Sequence, residues 1–339
     1  MDLATHAVAS LALARGFFPR RSWRFDAGVV LAGILADADL LTLFFGPSAY
    51  LSGRFTMTHS LAGTVIVIAS TAGFFLAVRR KNGPPKAGPT PSSSFSSILF
   101  AASLAAAVHL LMDLATSSGV ALLWPFRATR FAWDWLPFLE PWILAVLLAG
   151  IFLPELVRLV SSEIGAKQKS PRGRGGALVA LALVVFYIGA RAALHNNARA
   201  QLDAHSYRGE SPHQVAAFPD SFSPVTWHGV VETASQICTV DIATAGTARF
   251  DPESASCIHK PEESAALSAA QKTPAAQNFL QAARFPRASV VAMAGGSEVI
   301  LRDVAQNESL RTLAARILLD RTAQVANQDI VWVRDVHLR

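Results

Sequence analysis

Six apolar runs fill the first 195 residues of this 339-residue chain: 3–14, 27–45, 57–78, 98–116, 142–160 and 177–193. A helix crossing a bilayer needs roughly 20 consecutive apolar residues, and most of these runs approach or reach that length. The first is short for a full span, which predicts that it is tilted, partial or completed by its neighbours. With 52% hydrophobic and only 16% charged residues, the chain is too apolar for an ordinary soluble domain. The expected class is therefore mainly α: a polytopic membrane helical bundle of about six spans over residues 1–195.

Ionisable residues inside such runs cost several kcal/mol unless something compensates them, which makes each one a functional candidate. The stretch A-V-H-L-L-M-D-L-A-T-S carries His109 and Asp113, four apart and thus on one helix face. A neutral imidazole and a carboxylate at this spacing suit a divalent metal. They equally suit a hydrogen bond that staples two helices. Three further polar islands favour the metal: His6, Asp37 with Asp39, and His59. Asp37 and Asp39 are two apart and would point to opposite sides of a regular helix. Either the helix is broken there, or one carboxylate stands behind a histidine and holds its other ring nitrogen. Thr58 and Ser60 flank His59, either to orient it or to cap the helix that follows.

The net charge of +6 reads as a topology signal and not as nucleic-acid binding, because much of it sits in short loops. Loops 15–24, 79–86 and 167–174 are the basic ones, and in a six-span order they share one side. Cytoplasmic loops are rich in Lys and Arg, which puts these loops inside and both termini outside. All four polar islands then fall at one level, in the outer half of the membrane. Trp124, Trp133, Trp135 and Trp142 cluster between the fourth and fifth runs. They read as an interfacial belt built on a short helix in the headgroup region, with a substrate-binding role as the lesser reading.

From about Asn196 the composition turns polar, and residues 196–339 read as a soluble extracytoplasmic α+β domain. Strands are expected at 225–233 and 237–242, an amphipathic helix over 262–283 and a hairpin at 289–304, with further strands at 309–319 and 330–338. Its two cysteines, Cys238 and Cys257, are expected to pair if the compartment is oxidising. His205, His213, His228 and His259 show no ligand spacing and are assigned to surface or packing.

The ordered set of His6, A-D-A-D at 36–39, T-H-S at 58–60 and H-x-x-x-D at 109–113 resembles the YdjM-type inner-membrane proteins, a family of metal-dependent hydrolases. The resemblance covers about the first 115 residues well and continues loosely to 195. More distantly it is similar to the zinc-dependent phospholipase C and P1 nuclease fold, which implies zinc and phosphoester hydrolysis by analogy of fold. Arg54-Phe55-Thr56 stands where many members have His-Arg-Gly, and no additional His and Glu complete a three-metal set. One or two metals are therefore expected.

Together these point to a membrane-bound, metal-dependent hydrolase acting on a phosphoester or membrane-associated substrate. The expected ligands are His6, Asp37, Asp39, His59, His109 and Asp113, with Asp39 preferred as proton acceptor. Rival readings are a transporter of divalent metal ions or protons and a non-enzymatic assembly factor with a structural metal. A transporter would call for polar residues in the inner half of the membrane or an internal repeat, and the sequence has neither.

Overall fold

The computed structural model describes residues 1–18, 22–82, 95–163, 173–245, 250–305 and 312–333. The N-terminal part is a helical bundle. Helix α1 (Leu3–Phe17) starts at Asp2, whose side chain accepts from the Thr5 N–H. Helix α2 (Trp23–Ile34) starts at Ser22, which caps Phe25 in the same way. A 3-10 segment (Leu35–Phe45) continues α2, followed by the short α3 (Pro47–Gly53), α4 (Leu61–Asn82) and α5 (Phe95–Leu114). Helices α6 (Pro141–Glu163) and α7 (Arg174–Asp203) complete the bundle.

Four of these helical stretches are long and apolar enough to cross a membrane: Trp23–Phe45, Phe95–Leu114, Pro141–Val160 and Arg174–Asp203. The other two expected spans fall short among the described residues. Helix α1 has 15 residues, about 22 Å, against a hydrocarbon core of about 30 Å. Among the described residues, the apolar stretch of α4 covers Leu61–Ala77. Helix α1 lies inside the bundle, against α2, α5, α6 and α7. Its Ala9 and Ala12 pack with Met112, Ile143, Leu147, Ala180 and Val184, so its small residues serve close helix approach. The outer surfaces of α6 and α7 expose Phe152, Leu153, Leu156, Val185 and Phe186. A helix apolar on its outward face as well as its inward one is matched to lipid. Of the expected basic loops, 79–82 belong to α4, and 83–86 and 167–172 lie outside the described residues.

Between α5 and α6 the tryptophan-rich segment is a loop, not the expected short helix. It is tied by an antiparallel bridge between Val120 and Phe131 and a parallel one between Thr116 and Leu136. Pro125, Pro137 and Pro141 interrupt the segment and deny it a run of helical hydrogen bonds. Trp133 and Trp135 stack at 4.5 Å, and the Trp142 indole donates to the Phe222 carbonyl.

The change of composition near Asn196 falls inside α7, which runs on to Asp203. Its last turns, through Ala198 and Leu202, pack on Trp227, Val231, Cys238 and Val240 of a four-stranded antiparallel sheet. That sheet has the order β1 (Gln214–Pro219), β2 (Thr226–Glu232), β3 (Gln236–Ala243), β4 (Ser256–His259). Cys238 and Cys257 face each other across β3 and β4 and form the expected disulfide. A second antiparallel sheet follows: β5 (Pro286–Met293), β6 (Gly296–Asp303), β7 (Thr312–Asp320) and β8 (Val325–Val333). The two sheets dominate this part of the chain, and the helical share is smaller than expected. In place of one helix over 262–283 stand α8 (Ala265–Gln271) and α9 (Pro274–Ala282). Pro274 lacks an N–H and cannot continue α8, while Thr273 caps the new start.

Besides the end of α7, further contacts tie the β part to the bundle. Leu51 of α3 joins the core of the second sheet with Val299, Ile317 and Ile330. Arg284 makes a two-pronged ion pair with Asp134 of the tryptophan-rich loop, at 2.5 and 2.9 Å.

Candidate metal centre

The four polar islands of the sequence meet in one buried cluster. Asp37 arrives from the 3-10 segment, His59 from the turn before α4, and His109 and Asp113 from α5. One ligand atom from each of these four lies within 4.8 Å of all the others. His59 Nε2 is 2.9 Å from Asp113 Oδ2, and His109 Nε2 is 3.2 Å from both Asp113 Oδ2 and His59 Nε2. Asp37 Oδ1 is 3.8 Å from His59 Nε2. Ligands of a tetrahedral zinc stand about 3.4 Å apart at ordinary zinc–ligand lengths.

The hydrogen-bond partners on the far side of each imidazole decide what the near side can do. His109 Nδ1 is 2.6 Å from the Gly33 carbonyl, which only accepts, so Nδ1 carries the hydrogen. His59 Nδ1 is 2.9 Å from Asp39 Oδ2, which likewise only accepts. In their neutral forms both rings therefore turn a lone pair inward, toward each other and toward Asp113. Asp113 Oδ2 and Asp37 Oδ2 are buried and have no hydrogen-bond donor of their own. Electron pairs converging at such distances are stabilised by a proton or a cation between them. Two imidazoles and two carboxylates form the donor set a divalent ion accepts, and the residues fit that group.

His6 stands at the edge of this set. Its Nε2 is 3.0 Å from Asp113 Oδ1 and its ring stacks on His109 at 3.8 Å. The amino group of Met1 meets the same Asp113 oxygen.

Asp39 does a different job from the one expected of it. Its Oδ1 is held by Arg54, and its Oδ2 accepts from the Phe55 N–H at 2.8 Å, the Thr58 hydroxyl and His59. Both oxygens are engaged in holding neighbours, so the proton-accepting role expected for Asp39 does not fit. A base needs a free lone pair facing the reacting atoms. Asp39 instead orients His59 from behind, the arrangement typical of carboxylates that support a metal-binding histidine. The two flanking hydroxyls divide their roles: Thr58 bonds Asp39 and lies 3.1 Å from His59 Nδ1, while Ser60 caps α4 by accepting from the Gly63 N–H.

Arg54 is the residue sequence reasoning missed. It is buried, and its Nη1 reaches both Asp37, at 3.1 Å, and Asp39. Burial works against its charge, but the carboxylates of Asp39 and Asp37 outweigh that and raise its pKa above the ordinary value. The signal was present, because two carboxylates in an apolar segment require a counter-charge and Arg54 is the next basic residue along the chain.

The four expected histidines of the β part stay apart from this centre. His228, for example, pairs with Asp241 at an exposed site.

Neither curated proteins nor solved structures returned a match to the chain. The family model described as the YdjM inner membrane protein matches residues 1–198, which takes in the bundle and every residue of the cluster. A match over more than half of its length makes this chain a member of the YdjM inner membrane protein family.

Proposed function

We propose that the chain is a membrane-bound metal-dependent hydrolase whose metal sits among Asp37, His59, His109 and Asp113. The observation that carries this reading is the pair of inward lone pairs on His59 and His109, 3.2 Å apart beside two carboxylates. A bound divalent ion would supply Lewis acidity, making water more acidic and polarising a scissile oxygen. Asp39 and the Gly33 carbonyl hold the two imidazoles in the required tautomer. Arg54 supplies the counter-charge for Asp37 and Asp39 inside the bundle. With Asp39 fully engaged, Asp37 either completes the ligand set or accepts the proton through its unpartnered Oδ2. The substrate class is a phosphoester, membrane-associated, and zinc is the proposed metal; both rest on the resemblance to zinc-dependent phosphoesterases.

The proposed topology puts the cluster and the β part on the outer side, with residues 1–195 as the membrane unit and 196–339 as the extracytoplasmic one. Two contacts support it. Arg15 donates to the Ile151 carbonyl and Arg174 to that of Gly16, which gathers basic residues at the bundle end opposite the β sheets. His6 lies nine residues up α1 from Arg15, about 13 Å toward the other end.

Metal content and turnover of a generic phosphodiester by the purified chain test the proposal. His109→Ala should lose the metal and all turnover. Asp37→Asn separates the two roles: lost metal marks a ligand, and retained metal with lost turnover marks the base. A wild-type protein that purifies metal-free and takes up no zinc overturns the reading.

A further inference from the structure

Above the cluster, a half-open pocket of about 550 Å³ separates the tryptophan-rich loop from the β part. Ser118, Thr129 and Arg130 line it from the loop, and Gln281, Ala283 and Arg284 from the end of α9 and the chain beyond. Pockets that hold small molecules or headgroups fall in this size range.

The charges around it are unequal. Arg284 is already neutralised by Asp134. Arg130 is partly buried, and among the described residues its hydrogen bonds run from Nη2 to the carbonyls of Leu51 and Arg54, each 3.0 Å. Its Nε and Nη1 donate to no acceptor among the described residues, and no carboxylate there forms an ion pair with it. Burial works against this guanidinium more than the field of Asp39 offsets, and Arg54 adds a second positive charge nearby. The backbone N–H groups of Gly119, Thr129 and Arg130 also lack an acceptor among the described residues. A cation with no ion-pair contact among the described residues, on the wall of a roomy pocket with spare donors, is complementary to an anion. Guanidinium favours the oxygens of phosphate, which accept two parallel hydrogen bonds from it. Gly119 sits at φ +69°, and a Cβ there would come 3.2 Å from Arg130 Cβ, so the loop is folded tightly behind the arginine.

We propose that this pocket binds a phosphate-bearing ligand, with Arg130 as its charge partner and the end of α9 as the opposite wall. As an anion site the proposal stands alone; as the seat of the substrate's phosphate it rests on the hydrolase reading. Arg130 touches the Arg54 carbonyl, and the Arg54 guanidinium holds Asp37, so one residue separates the pocket from the metal cluster.

The test uses the full chain in nanodiscs, with inorganic phosphate in one arm and bilayers of phosphatidic acid against phosphatidylcholine in the other. Wild type should bind in at least one arm, and the arm that responds identifies the source as free phosphate or lipid headgroup. Arg130→Gln should weaken that binding at least about tenfold, the scale of a charge-assisted hydrogen bond. Because Arg130 also supports the loop, Ala128→Asp is measured beside it. That change leaves the Arg130 bonds in place and brings a negative charge to the pocket rim, so a similar loss is expected. Metal content is read in the same samples. Phosphate binding by a metal-free protein would sink the hydrolase reading alone, whereas no binding in either arm, or full binding by both variants, overturns the pocket.

Discussion

A histidine offers a metal one nitrogen only after something else has claimed the other. At His59 the claimant is the Asp39 carboxylate and at His109 the Gly33 carbonyl. Replacing Asp39 by Asn removes the charge and lets the amide present either an acceptor or a donor to His59. Metal affinity should fall about 10–100-fold while the four candidate ligands stay in place. Competition titration with a chromophoric chelator would measure it, and unchanged affinity would argue that the tautomer of His59 is set elsewhere. The spacing of Asp37 and Asp39 announced that the two could not share one helical face, and the structure uses both solutions at once. The helix changes to 3-10 geometry, and one carboxylate moves behind a histidine. What spacing could not say was which aspartate takes which part, because that depends on where Arg54 and His59 arrive from another segment.

Among elements, the 3-10 stretch Leu35–Phe45 is the unusual one. Its 11 residues far exceed the three or four usual for this geometry, and such stretches mark sites under constraint. It begins just after Gly33, where α1 and α2 cross. A Cβ on Gly33 would lie 1.8 Å from Ser10 Oγ and 2.8 Å from Ser10 Cβ, so rotating the serine hydroxyl away is not enough. Gly33→Ala should therefore cost about 1–3 kcal/mol and loosen the carbonyl that orients His109. A thermal melt of the variant with and without added zinc would show both effects, the second as a smaller metal-induced shift in Tm.

The turn between β2 and β3 carries a pH signature. Glu210 accepts from the Ser235 hydroxyl at 2.5 Å and from its N–H at 3.1 Å. These bonds from Ser235, with help from Thr233, hold the Glu210 carboxyl down at about 2. The unfolded chain therefore binds more protons than the folded one between about 2 and the ordinary 4.5. The stabilisation is fully present above about 4.5 and is lost as pH falls toward 2. Ser235→Ala should flatten this acid limb, read as amide-exchange protection of β2 and β3 against pH. A limb of unchanged slope would mean that Glu210 is not tied to this turn in solution.

At the scale of the molecule, a buried polar cluster and a β part share one end of an apolar bundle, joined through Leu51 and the Asp134–Arg284 pair. A reporter fused after Arg339 should be active on the outer side, and one inserted at position 88 on the inner side. The basic loops motivate the first expectation and the Arg15 and Arg174 contacts at the opposite end support it. A C-terminus found inside the cell would invert the bundle and move the cluster to the cytoplasmic half.

What the sequence determined by itself was whatever depends on composition or local spacing. Apolar run length marked the membrane helices, and four of them are long enough to span. The spacing of His109 and Asp113 put both on one face of α5, where they meet. Alternation and turn residues located β2, β3 and β5 to β8, because side-chain direction in a strand has a period of two, but missed β1 and the short β4. Only the tertiary structure decided that α1 lies inside the bundle, since the place of its 15 residues depends on what packs around them. The same holds for Arg54, whose value lies in two carboxylates brought to it by another segment, and for the pocket at Arg130, whose second wall comes from residues more than 150 positions away. Contacts between distant segments are set by the shape and charge of both partners, and no local pattern in either one records the other.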